Sequence, residues 1–191
     1  MNWTANIDRL YTGLKSLDVT DKVGRHIQID EAFLRWRDRT LEIRRNRKTV
    51  YLIGNGASAS MASHMAADLA KNAHVHTEVF SDLSLITAVA NDLCYEEVFS
   101  EPLRRRMKPG DMLVAISSSG NSPNILRAAD TAIALEGQVA TLSAMKLDNR
   151  LRSKGDLNFY VPAETYGMAE SGHAAILHYW MDLVSNVSNQ E

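Results

Sequence analysis

Residues 3–17 and 29–47 carry apolar side chains at helical spacing, with Ile7, Leu10, Tyr11, Leu14 and Leu17 forming the first stripe. The pattern predicts two amphipathic helices. The second ends in "RRNRK" at 44–48, cations that suit a helix C-terminus through its dipole and read as a solvated terminus rather than a nucleic-acid patch. At residue 49 the pattern changes to apolar runs without polar alternation, each followed by a helical stretch. "TVYLIGN" (49–55) predicts a strand with a helix over 59–71, and "HVHTEVF" (74–80) a second strand with helical segments at 82–91 and 95–107. "DMLVAIS" (111–117) is a third strand with its helix over 122–136. "QVATLSA" (138–144) and "LNFYVPA" (157–163) are the fourth and fifth, and a long helix over 168–188 closes the chain. Such runs, separated by helices, predict an α/β fold with a parallel sheet covered on both faces and two extra N-terminal helices. Ligands in such folds sit beyond the carboxyl ends of the strands.

The 191 residues suffice for one domain with a full core and fall short of two. A net charge of -2 gives no reason to expect nucleic acid or an anionic membrane as partner. No apolar run approaches the roughly 20 residues of a membrane span. The N-terminus, "MNWTANIDRL", lacks the apolar centre of a signal peptide. The lone Cys94 excludes an intrachain disulfide and a Cys-based zinc site. The expected setting is the cytoplasm.

Chemistry enters at two strand-to-helix loops. "GNGASA" at 54–59 fits the dinucleotide fingerprint, and Glu78 follows near the end of the second strand where a ribose-binding acid belongs. Too little chain remains, however, for a second mononucleotide half and a substrate region. A nucleoside triphosphate is excluded because no Lys follows the glycines. The second loop, "AISSSGNSPNIL" at 115–126, places Ser117, Ser119 and Ser122 beside the backbone N–H groups of Gly120, Asn121 and Ser122. Pro123 is acceptable just inside a helix. Convergent neutral donors at helix N-termini hold a compact phosphate without a Lys. Farther along, His64 and Asp68 share a helix face, and Glu170, His173 and His178 lie on the last helix. Alone, each reads more readily as a packed, surface or partly buried polar residue than as a metal ligand.

"GNGASAS…SHMAADL", "AVANDLCYEEVFSEPL", "AISSSGNSPNIL" and "AESGHAAILHYW" together resemble the sugar isomerase (SIS) family, and within it the phosphoheptose isomerase branch. The resemblance runs from about residue 48 to the end. It implies a three-layer, flavodoxin-like parallel sheet in one SIS domain over 1–191, with helices at 1–47 serving oligomer packing and a core at 48–191. It implies a homotetramer with active sites at subunit interfaces, acting on a small sugar phosphate. The reaction is the aldose–ketose isomerisation of sedoheptulose 7-phosphate to D-glycero-D-manno-heptose 7-phosphate. Phosphate-binding positions carry over to Ser58, Ser117, Ser119 and Ser122. The substrate-reaching Asn-Asp pair corresponds to Asn91 and Asp92, and Asn55, Gly56 and Ser118 complete the expected substrate site.

The branch surrounds a divalent metal, zinc, with a His and a Glu on the first loop's helix and a Gln and a His on the last. His64, Asp68, Glu170 and His178 match these positions, so Asp68 and Glu170 each depart from the family. Two imidazoles and two carboxylates suit zinc and are friendlier to iron or manganese. A substrate-binding acid of the family falls on Gly167. The expected catalytic groups are Asp68 or Glu170 as base and His178 as acid. Glu170 and His178 are separated by roughly 12 Å of helix rise, which calls for a bend or late start at Gly172 or for ligands from different subunits. Two further readings stand beside heptose isomerisation: an isomerase of another sugar phosphate in capsule or glycoconjugate synthesis, and a non-catalytic SIS-domain protein that associates with the replication initiator. The pair of His64 and His178 favours an enzyme over the latter.

Overall fold

The computed structural model describes residues 2–188; residue 1 and residues 189–191 of the expected domain lie outside them. The chain runs α1 (Trp3–Lys15), β1 (Asp18–Thr20), α2 (Ile29–Arg45), β2 (Thr49–Gly54), α3 (Ala57–Ala73) and β3 (His76–Val79). It continues through α4 (Leu83–Asp92), α5 (Ser100–Arg106), β4 (Met112–Ser117), α6 (Pro123–Ala134), β5 (Gln138–Ala144), β6 (Leu157–Val161) and α7 (Tyr166–Ser188). Short 3-10 turns sit at Tyr95–Glu97 and Arg150–Ser153. The strands form one sheet in the order β1-β6-β5-β4-β2-β3, parallel throughout except for β1.

Strand β1 is a strand that hydrophobic periodicity does not reveal. It is three residues long with one apolar position, Val19, and it pairs antiparallel with β6 at the sheet edge. A segment so short carries no readable period, so only its partner strand defines it. The segment expected to be helical at 95–107 also divides, into a 3-10 turn and the seven-residue α5.

Alternation along the central strands assigns the two layers. Val50 and Leu52 of β2, with Met112, Val114 and Ile116 of β4, face a core built with α2, α3 and α7. There Trp36 stacks on Trp180 with ring centroids 4.0 Å apart, and Trp180 Nε1 donates to Thr40 Oγ1 at 3.1 Å. Tyr51 and Ile53 of β2 and Leu113 and Ala115 of β4 face the opposite core, with Phe99, Leu103, Ile125 and Ala129. Every residue of β2 and β4 is buried, which is why these strands read as unbroken apolar runs. Helix α4 is the exception to this packing: none of its residues is fully buried, and Leu83 is 73% exposed.

Helix starts differ in a way that bears on function. Asn2, Gln28 and Asp82 cap α1, α2 and α4 by accepting from Ala5, Glu31 and Leu85 N–H at 2.8, 2.9 and 2.9 Å. The N-cap residues Gly56 of α3 and Ser122 of α6 make no side-chain cap, as Phe99 makes none at the short α5. At α6 the Ile125 N–H is held by Asn124 Oδ1 at 3.0 Å, and the positive dipole ends of α3 and α6 carry no opposing side-chain oxygen from their N-cap residues.

Candidate active site

The ends of β2 and β4 are adjacent and in register, Gly54 opposite Ile116, so the two loops that follow emerge side by side. A side chain at Gly54 would place a Cβ 2.5 Å from the Ser58 backbone; only glycine lets α3 turn back this tightly. Gly120, at φ +62°, occupies the left-handed region, and a Cβ there would overlap the Asn149 side chain. Between the loops lies a hollow of about 130 Å³ lined by Asn55, Ser58, Ser117, Ser118, Ser119 and Ser122. Tyr166 and Glu170 of α7 close its far wall. Ser117 Oγ and Ser122 Oγ share a hydrogen bond at 3.2 Å.

Two donors expected from the sequence are engaged within the second loop itself. Gly120 N–H donates to the Ser117 carbonyl at 2.9 Å, and Asn121 N–H donates to Ser119 Oγ at 3.2 Å. The hollow therefore depends on its hydroxyls and on the two uncapped helix starts more than on loop amides.

A second cluster forms where α3 packs against α7. His64, Asp68 and His178 each offer one ligand atom within 4.8 Å of the others. His64 Nε2 stands 3.3 Å from Asp68 Oδ2, and the His64 and His178 ring centroids are 5.4 Å apart. Ligand atoms on one tetrahedral zinc are separated by roughly 3.3 Å, so the His64–Asp68 pair already has the spacing, and His178 stands within 4.8 Å of both. Both histidines are exposed and Asp68 is half-buried. Beside them, Met61, Met65, Ala174 and Leu177 line an apolar hollow of about 260 Å³.

Glu170 is not part of that group. Helix α7 starts at Tyr166 and continues through Gly172, so Gly172 marks no late start. Gly172 instead allows close packing, since a Cβ there would meet Val161 at 3.1 Å. The resulting rise sends Glu170 to the serine-lined hollow and His178 to the α3 cluster. Asn91 and Asp92, at the exposed end of α4, bond to each other at 2.9 Å and lie outside the lining of that hollow. Gly167 is exposed, with open space around it.

Between Glu170 and His178 on α7, His173 is fully buried, and neither of its ring nitrogens finds a hydrogen-bond partner of good geometry. Burial holds its imidazole down at about 4, against a weaker opposing pull from the Ser143 backbone. Outside the site, Ser100, Arg104 and Arg127 hold the Glu97 carboxyl down at about 2, a structural ion network across α5 and α6. Glu78, a candidate for the dinucleotide reading, pairs with Arg106 at 3.1 Å.

Three residues at the site carry no sequence signal of their own. Tyr166 lines the serine hollow. Asn124 bonds Asn55 across the two loops, and Tyr95 donates to Asn55 Oδ1 at 3.2 Å. Asn124 follows Pro123, the first residue of α6, where the amide reads as an ordinary helix-start residue; its partner is 69 positions away.

Comparison with known proteins fits this geometry. Residues 30–144 match the family described as SIS domain. The phosphoheptose isomerase of Shewanella denitrificans is 33% identical over 143 residues, covering 71% of this chain and 73% of its own length. The solved phosphoheptose isomerase of Neisseria gonorrhoeae shares the fold with a TM-score of 0.81 at 24% identity, covering 95% of this chain and 96% of its own. That of Francisella tularensis does so with a TM-score of 0.82 at 22% identity, covering 97% and 100%. With two uncapped helices around a serine-lined hollow and a His–Asp–His group beside it, the chain belongs to the SIS domain family, in its phosphoheptose isomerase branch of aldose–ketose isomerases.

Proposed function

We propose that this phosphosugar isomerase converts sedoheptulose 7-phosphate to D-glycero-D-manno-heptose 7-phosphate. The observation that carries the reading is the pairing of an anion cradle with a carboxylate in its wall. Ser58, Ser117, Ser119 and Ser122 bind the phosphate with the helix starts of α3 and α6, and Asn55, Gly56 and Ser118 border it. Asn91 and Asp92 of α4 reach the sugar hydroxyls. Isomerisation then requires removal of a proton alpha to a carbonyl and its return to the neighbouring carbon, with an acid for the oxygen. Asp68 and Glu170 are the candidate bases and His178 the acid.

His64, Asp68 and His178 fit a divalent ion by donor type and spacing, with Glu170 as the fourth ligand; zinc is the metal we assign. A bound ion supplies Lewis-acid polarisation of the substrate carbonyl. The separation of Glu170 from His178 along α7 supports an assembly in which Glu170 of a second copy, and with it that copy's cradle, completes the group. Such a site lies at a subunit interface, in keeping with a homotetramer packed through residues 1–47. The exposed Trp3, Ile7 and Tyr11 of α1 support that role. No helix among the described residues is long and apolar enough to cross a membrane, and we place the enzyme in the cytoplasm.

The test is NMR of sedoheptulose 7-phosphate in deuterated buffer with metal-reconstituted protein and a His178→Ala control. Deuterium at C2 of an aldose product, absent in the control, is the expected result. No exchange by folded, metal-loaded protein refutes the heptose assignment. The open space at Gly167, beside the cradle residue Tyr166, favours a second reading, an isomerase of another sugar phosphate. A panel of ketose and aldose phosphates under the same conditions separates the two. Comparing Asp68→Asn with Glu170→Gln in that assay identifies the base.

A further inference from the structure

The two cradle loops are joined by more than their serines. Asn55 of the first loop donates through Nδ2 to Asn124 Oδ1 at 3.0 Å, and Asn124 Nδ2 donates back to Asn55 Oδ1 at 2.9 Å. The direction of this exchange is not free. The Ile125 N–H, in the first turn of α6, donates to Asn124 Oδ1 at 3.0 Å, and a backbone N–H can only donate. That contact settles which side of the Asn124 amide is oxygen. It follows that Asn55 must present its own oxygen to Asn124 Nδ2, where the Tyr95 hydroxyl also donates. Asn55 Oδ1 then holds two donors, its full acceptor capacity, and the amide of this hollow-lining residue keeps one N–H outside these bonds.

Burial gives the pair its weight. Asn124 is 2% exposed, so losing Asn55 leaves the Asn124 Nδ2 desolvated and unpaired. The second loop is braced from its other side, where Leu151 N–H donates to the Gly120 carbonyl at 2.9 Å and Arg150 N–H to Asn121 Oδ1 at 3.1 Å. The Asn55–Asn124 exchange is the side-chain tie across to the first loop. Through Tyr95 it also reaches the segment that follows Asn91 and Asp92.

We propose that Asn124 is a positioning residue, which clamps the first cradle loop to α6 and turns the Asn55 amide so that it offers an N–H, not an oxygen, to the phosphate ester. This rests on the phosphosugar reading of the cradle. An oxygen presented there would repel the anion, so the clamp sets the sign of the contact as well as its place.

The test is calorimetric titration of inorganic phosphate into the wild-type protein, Asn124→Ala, Asn55→Ala and the double variant, with thermal melting of each. Asn124→Ala and Asn55→Ala are each expected to weaken binding about tenfold, and the double variant no further, because both remove the same tie. With substrate, the Asn124→Ala loss should fall on KM more than on kcat. Asn124→Asp, nearly isosteric and so the control should the alanine variant fail to fold, keeps an acceptor for Ile125 but loses the donor to Asn55 and adds a negative charge. Its loss should exceed tenfold. A lowered melting temperature with unchanged phosphate affinity, or additive losses in the double variant, would overturn the clamp while leaving the cradle intact. Failure of the wild-type protein to bind phosphate would overturn the cradle reading, and the clamp with it.

Discussion

The serine hollow and the His–Asp–His cluster both draw on α3 and α7, yet they are built by different means. The hollow is formed by backbone: two parallel strands end in register, two glycines permit tight turns, and two helix starts are left uncapped. The hydroxyls decorate a shape that already exists. The cluster is formed by side chains meeting across a helix–helix contact, with both histidines exposed. Under the proposed roles, the difference makes binding and turnover separable. Damage to the cluster should leave phosphate recognition alone, whereas damage to the cradle should weaken binding first.

The largest expected effect tests that separation directly. His178→Ala, or removal of divalent metal by a chelator, should lower kcat about a thousandfold, within the range for loss of a proton-transfer group or catalytic ion. Inorganic phosphate should bind as before in the same samples. A parallel loss of phosphate affinity would show that the two regions act as one unit.

An intermediate effect concerns the joint between them. His173 is buried on α7 between Glu170 and His178, with its imidazole lowered from 6.5 to about 4. The unfolded chain takes up this proton first as the pH falls, so stability should decline from about pH 6.5 and level off near pH 4. The full decline is about 3 kcal/mol. Urea midpoints measured across that range should drift in the wild-type protein and flatten in His173→Leu. An identical slope in both would assign the acid sensitivity elsewhere.

The smallest effect sharpens the cradle side. Ser119→Ala removes one hydroxyl from a set of four, so KM for the sugar phosphate should rise about tenfold or less with kcat nearly unchanged. A fall in kcat alone would place Ser119 among the reacting groups. Gly120→Ala, by contrast, must displace Asn149 and strain a left-handed residue, so it should cost melting temperature as well as affinity.

Much of the fold is legible in the sequence. Central strands buried on both faces read as unbroken apolar runs, and β2, β4, β5 and β6 fall where those runs are. The strand β1 was not legible, because three residues with one apolar side chain have no period. The serines of both loops stand out as candidate phosphate donors from residue type and position, and the structure places them around one hollow. The engagement of Gly120 and Asn121 N–H within the loop does not stand out, since it depends on how that loop folds on itself.

What the sequence determined by itself is local: the period of each element, the glycines and serines that make strand-to-helix turns, and the four-residue interval that puts His64 and Asp68 on one face. Hydrogen-bond geometry and side-chain periodicity act over a few residues, so they can be read along the chain. The resemblance groups His178 with that pair; the tertiary structure decided that the three meet across α3 and α7 without Glu170, which turns instead to the cradle, and that Asn124 ties Asn55 from 69 positions away. Those contacts arise from packing helices on a sheet, and no interval in the sequence encodes the distance between elements that only the shared core brings together.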